Sequence, residues 1–278
     1  MTRDDINDIY PFKSNYFRLK GYRYHYVDEG AGEPILMLHG NPTWSFLFRN
    51  IIGELSKTHR VIAPDHLGCG LSDKPQNFSY RLESHIDNLE EFVHAKNLQN
   101  ITLLVHDWGG PIGMGFATRY PERIKRLIIT NTASFTMPRI PFRIALCRVP
   151  FIDKIVLRKT DLFCRCATWM TVAKPLQEKV KKGYLLPYDS FEHRIAVYNF
   201  VKDIPMSYED QSYVTIIEIE HGIWMFKEKP VLLLWGMKDW CFNKHFLEKW
   251  KQFLPNALVK EIPEASHYLF EDSPEKII

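Results

Sequence analysis

Val105-His106-Asp107-Trp108-Gly109-Gly110 is the stretch on which the reading of this chain turns. The apolar run at residues 101–105 has the length and composition of a buried strand, and Gly109-Gly110 open a segment that reads as a helix to about Tyr120. A strand, a sharp turn and a helix in so short a space lift one side chain, here Asp107, clear of the strand end. Gly109, two places on, lets such a turn close, although Val105, two places before, is larger than the glycine common there. A plainer reading is an Asp that only caps the following helix, so the rest of the chain has to decide.

Outward from this point the pattern is strand and helix in alternation. Residues 22–27 read as an antiparallel edge strand, while 35–38, 60–64 and 126–130 read as buried parallel strands. Ser79 is expected to cap a helix reaching about Ala95, with Leu82, Ile86 and Leu89 at helical spacing. After Asn131 the alternation stops, and the chain to Asp210 is basic, aromatic and interrupted by prolines. Ser212 is then expected to cap a helix running to Trp224, and strands at 231–235 and 258–262 resume the sheet. The expected fold class is α/β, a mostly parallel central sheet with helices on both faces and an inserted helical cap. Its divisions are a first core segment at 1–133, the cap at 134–211 and a second core segment at 212–278, whose last helix reads as cut short at Ile278.

Two more strand ends carry titratable residues. Asp239 follows the strand at 231–235 and His267 follows the last strand, giving the chain order nucleophile, acid, histidine of an α/β-hydrolase. Singly, Asp239 reads as a turn residue and His267 as an exposed loop histidine; together at three strand ends they read as a triad. A carboxylate nucleophile suits displacement at saturated carbon, forming an ester that a His267-activated water can hydrolyse. The backbone N–H groups of Asn41 and Trp108 are the expected oxyanion donors, and their side chains offer an amide and an indole N–H to a leaving group. Ordinary packing for Trp108 and a turn role for Asn41 are the bland alternatives. His106 reads as a packed or hydrogen-bonded neighbour of the nucleophile.

With those residues in view, the runs His39-Gly40-Asn41-Pro42-Thr43-Trp44, Ala63-Pro64-Asp65-His66-Leu67-Gly68 and residues 105–110 resemble the haloalkane dehalogenase family of the α/β-hydrolase superfamily. The similarity covers about residues 22–131 and 213–267 and is weak across the cap. Residues 131–137 offer no carboxylate for the branches that keep the acid after the fourth parallel strand, so the resemblance assigns that role to Asp239. The chain is also similar to the β-lactone decarboxylases of long-chain olefin biosynthesis, through Asn131-Thr132-Ala133-Ser134-Phe135 and Arg139-Ile140-Pro141-Phe142 among others. The first relationship implies halide displacement by Asp107 and hydrolysis of the ester; the second implies loss of carbon dioxide from a lactone to give a cis-alkene. An epoxide hydrolase ranks below both, and would need cap phenols from among Tyr184, Tyr188, Tyr198 and Tyr208. A scaffold reused only for binding ranks lower still, since all three triad residues are present.

Composition narrows the partners. The 278 residues are 45% hydrophobic and 25% charged with a net charge of +3, which supports a packed enzyme core and gives no bulk case for nucleic-acid binding. Five cysteines without metal or disulfide spacing fit a reducing, cytoplasmic setting, and Cys164-x-Cys166 points to two helix faces. No cofactor or metal is implied, since Gly68-Cys69-Gly70 lacks the dinucleotide-binding pattern. The expected partner is a small lipophilic substrate. Seven Lys or Arg between Arg139 and Arg165, interleaved with apolar residues, read first as an amphipathic cap face and second as a contact for a membrane surface or an acidic partner.

Overall fold

The computed structural model describes residues 3–278. Eight strands, β1 (Asn15–Leu19), β2 (Tyr22–Glu29), β3 (Pro34–Leu38), β4 (Arg60–Pro64), β5 (Ile101–His106), β6 (Ile124–Thr130), β7 (Val231–Gly236) and β8 (Leu258–Ile262), form one sheet in the order β1-β2-β4-β3-β5-β6-β7-β8. β1 and β2 are antiparallel, as are β2 and β4, and every pair from β4 onward is parallel. Because β3 crosses to lie between β4 and β5, the middle of the sheet is where the chain's direction of travel reverses, and ligand sites of such sheets lie at the strand ends there.

The strand pattern explains the layering. Alternate residues face opposite ways, so Leu36, Leu38, Leu103 and Val105 join one core with α2 (Leu82–Ala95), α3 (Gly109–Arg119) and α9 (Tyr213–Gly222). Ile35, Met37 and Leu104 join a second core with α1 (Arg49–Leu55) and α11 (Leu269–Asp272). Between β6 and β7 lie α4 (Phe142–Leu146), α5 (Ile152–Lys154), α6 (Leu162–Met170), α7 (Glu178–Leu185), α8 (Ile195–Lys202) and then α9; α10 (Lys244–Phe253) connects β7 to β8. Buried Arg49 and Glu271 pair through both guanidinium nitrogens, and the Tyr184 hydroxyl of α7 donates to the same carboxylate, which ties the inserted segment to the core.

Three local expectations need correction. β2 is not the sheet edge, because β1 pairs outside it; the short polar-apolar run Asn15–Leu19 carries too little burial to stand out from the sequence. Ser79 caps nothing: α2 starts at Leu82, whose N–H is taken by Asp203 Oδ2 at 2.8 Å and Ser212 Oγ at 3.3 Å. Ser212, in turn, makes no side-chain cap on α9 and serves α2 instead, a long-range capping that spacing along the chain cannot reveal. Its hydroxyl also donates to Asp203 at 2.6 Å.

Candidate active site

Asp107 stands at the turn between β5 and α3 with φ +50°, in the left-handed region that Asp tolerates better than most residues. The turn is held by close approach of backbones. A Cβ on Gly109 would come within 2.1 Å of the Leu38 carbonyl oxygen, and one on Gly40 within 1.9 Å of Asp107 Oδ1. With no Cβ at Gly40, the Asn41 backbone N–H reaches Asp107 Oδ1 at 2.6 Å, and the Trp108 backbone N–H also bonds this carboxylate. Both backbone N–H groups named as oxyanion donors thus reach the Asp107 carboxylate, that of Asn41 at Oδ1.

The other oxygen, Oδ2, faces His267, whose Nε2 lies 3.8 Å away. That gap exceeds a hydrogen bond, so Oδ2 is not tied up by the imidazole. On its far side His267 Nδ1–H donates to Asp239 Oδ2 at 2.8 Å, because a carboxylate only accepts, and the tautomer leaves the Nε2 lone pair toward Asp107. Asp239 is itself buried and receives the Cys241 N–H at 2.6 Å and the Asn131 amide at 3.0 Å.

Charge and burial act in opposition here. Burial pushes Asp107 above the ordinary carboxyl value, against the pull of His267 and of the Asn41 and Trp108 N–H groups. For His267, burial alone would depress the imidazole, but attraction to Asp239 and Asp107 outweighs it, so its pKa is raised. Burial drives the Cys241 thiol well up, which keeps it neutral beside the two carboxylates.

The two neutral donors share the cavity wall with Asp107 and His267. The Trp108 indole N–H has no protein partner among the described residues, while its ring packs on Phe200 at 5.0 Å. Asn41 commits one amide hydrogen to the Val197 carbonyl of α8 at 3.2 Å, which fixes the side chain and leaves its second N–H. Above these groups lies a cavity of about 550 Å³ whose wall, beyond Arg143 and Thr171, is otherwise almost wholly apolar or aromatic. Tyr184, Tyr188, Tyr198 and Tyr208 are not in that wall; the hydroxyls of the first three go to Glu271, Thr43 and Asp153, so none is placed to protonate an opening epoxide.

A profile of the alpha/beta hydrolase fold matches residues 33–274. This chain belongs to the α/β-hydrolase family. Within the family it is haloalkane dehalogenase-like. It is 41% identical to a cis-3-alkyl-4-alkyloxetan-2-one decarboxylase of Shewanella oneidensis, over 98% of this chain and 88% of that one. It is 33% identical to haloalkane dehalogenase 2 of Mycobacterium tuberculosis, over 97% and 93%. Among solved structures, haloalkane dehalogenase DatA of Agrobacterium tumefaciens superposes with a TM-score of 0.85 at 25% identity, covering 95% of this chain and 93% of that one.

One contributor to this α/β-hydrolase site, Asn131, escaped the sequence reading, while a second, His106, takes the hydrogen-bonded place expected of it. Asn131, at φ +30° beyond β6, accepts the Gly236 N–H at 2.8 Å and donates to both the Gly236 carbonyl and Asp239, so it stations the acid from a neighbouring strand. Its only sequence signal was the absence of a carboxylate at that position. His106 Nε2–H donates to the His267 carbonyl at 2.9 Å, holding the histidine loop from beneath.

Proposed function

We propose that this chain is a decarboxylase of cis-3,4-dialkyl β-lactones, with Asp107 as nucleophile, Asn41 and Trp108 as donors to the leaving group, and His267, oriented by the acid Asp239, beside Asp107, where it is the base only if an ester is to be hydrolysed. The observation that carries the choice is the apolar cavity of about 550 Å³ over Asp107, roomier than a short haloalkane requires and suited to alkyl chains. The relative of highest identity quoted above bears the matching name, a decarboxylase of a ring with one alkyl group on each of two adjacent carbons. We place the enzyme in the cytoplasm, in keeping with its five free cysteines, with a small lipophilic substrate as its partner and surface contact through the basic cap segment.

The chemistry closes without water or a redox partner. Asp107 Oδ2 attacks the ring carbon that bears the lactone oxygen; that carbon–oxygen bond breaks with inversion, and the released carboxylate is held by the Asn41 and Trp108 N–H groups. Inversion leaves the new carboxylate anti to the Asp107 ester. Its carbon–carbon bond then supplies the electrons of the double bond, carbon dioxide leaves, and Asp107 departs as the carboxylate it began as. Both alkyl groups stay on one side of the plane holding the two leaving groups, so anti elimination delivers a cis-alkene.

Hydrolytic dehalogenation is the second reading, favoured by the 3.8 Å space between His267 Nε2 and Asp107 Oδ2 and by the Asn41 and Trp108 backbone N–H groups on the Asp107 carboxylate, which suit water attack on an ester. Parallel assays of a dialkyl β-lactone and a short bromoalkane separate the two. Alkene from the lactone is the expected result; bromide release with no alkene would reject the decarboxylase. Turnover in ¹⁸O-water should leave Asp107 unlabelled with the lactone, whereas ester hydrolysis would write ¹⁸O into its carboxylate.

A further inference from the structure

The inserted segment turns apolar side chains outward at the mouth of its own cavity. Phe142 is 80% exposed, Phe151 83% and Trp169 63%, with Leu146, Ile155 and Leu162 also exposed. Phe142, Leu146, Leu162 and Trp169 are cavity-wall residues as well, so the exposed patch and the mouth are continuous. Phe151 holds φ +70°, a left-handed conformation costly for a bulky residue, and in the free protein its ring gains no burial in return.

The charges interleaved with this patch share one sign. Arg139, Arg143, Lys154 and Lys159 are exposed and make no ion pair among the described residues, while the acidic Asp153 is buried against Lys202 and Asp161 is paired with Arg165. Protruding aromatic tips ringed by Lys and Arg suit insertion below lipid headgroups, with the long cationic stems reaching back to the phosphates. A second copy of this chain fits poorly, since a two-fold contact through the patch would set these cations against each other.

We propose that this face docks on an anionic lipid surface, with the cavity mouth opening into the lipid so that a lipophilic substrate enters without crossing water. The docking rests on the surface chemistry; only its purpose rests on the proposed substrate, and binding is read without turnover.

The test is co-sedimentation of the full chain with vesicles of phosphatidylglycerol mixed with phosphatidylcholine, against pure phosphatidylcholine. Binding to the anionic vesicles, reversed by salt, is expected. Each Lys or Arg at such a surface is worth roughly fivefold in affinity, so Lys154→Gln with Lys159→Gln should weaken binding roughly 25-fold. Phe151→Ser should weaken it further while leaving turnover of a short, soluble bromoalkane or lactone unchanged, which shows that the variants are folded. Protein that stays in the supernatant at low salt overturns the proposal. So does equal binding to both vesicle types that the lysine changes leave untouched, and so does a dimer in sedimentation velocity that Phe151→Ser dissolves in the absence of any vesicle binding.

Discussion

His267 is raised above the ordinary imidazole value despite its burial, because Asp239 and Asp107 both stabilise its protonated form. A base must be neutral to take a proton from water, so any ester-hydrolysing step should rise with pH as His267 loses its proton, with Asp239 as the charge still raising its pKa once Asp107 is esterified. Asp239→Asn removes the nearer negative charge and lowers the His267 pKa. The acid limb of the bromoalkane rate profile should therefore move to lower pH while the plateau falls; a limb that stays put would remove Asp239 from the circuit. His267→Phe removes the base but leaves Asp107 and both N–H donors. With bromoalkane it should accumulate one alkyl ester per chain on Asp107, read by intact mass, and absence of the adduct would count against the dehalogenase reading.

At the scale of elements, α8 is the piece that joins the inserted segment to the reaction centre. It fixes Asn41 through the Val197 carbonyl, and its Phe200 lies between the Trp108 ring at 5.0 Å and His85 of α2 at 4.7 Å. Phe200→Ala would leave a void between two rings, at a cost of about 3–5 kcal/mol. It should lower the urea midpoint and also slow turnover, since Trp108 loses the surface that sets its indole; Phe200→Leu should restore most of both. None of this coupling was legible in the sequence, where the inserted segment has no clear periodicity. What was legible had a short-range signature: β3, β5 and β7 are mainly apolar runs, Asp107 and Asp239 follow two of them, and His267 follows the shorter run of β8, which Lys260 and Glu261 interrupt. The same limit explains Ser212 and Asn131. The capping bond of Ser212 to Leu82 and the bonds of Asn131 to Gly236 span more than a hundred residues, so neither capping rules nor residue type could assign them.

Taken as a whole, the molecule keeps several imidazoles neutral in its interior. Burial first, then mutual repulsion among the rings, pushes His66 and His106 well below the ordinary value, and burial takes His85 down to about 3. His85 is the most exposed to consequence: both ring nitrogens lack a hydrogen-bond partner, so nothing rewards a proton there. In the unfolded chain the same ring titrates near 6.5. The unfolded state therefore binds more protons as pH falls below about 6.5, and the stability present above that value is lost progressively until the folded-state value near 3 is passed. At pH 5 the loss from one such group is about 2 kcal/mol relative to pH 8. His85→Phe keeps an aromatic ring against Phe200 and deletes the titration. Urea unfolding of both proteins at pH 8 and pH 5 should show a smaller acid penalty in the variant, by about 2 kcal/mol. An equal penalty in both would mean that His85 finds a proton-binding partner in the folded state, and the acid sensitivity would then pass to His66 and His106.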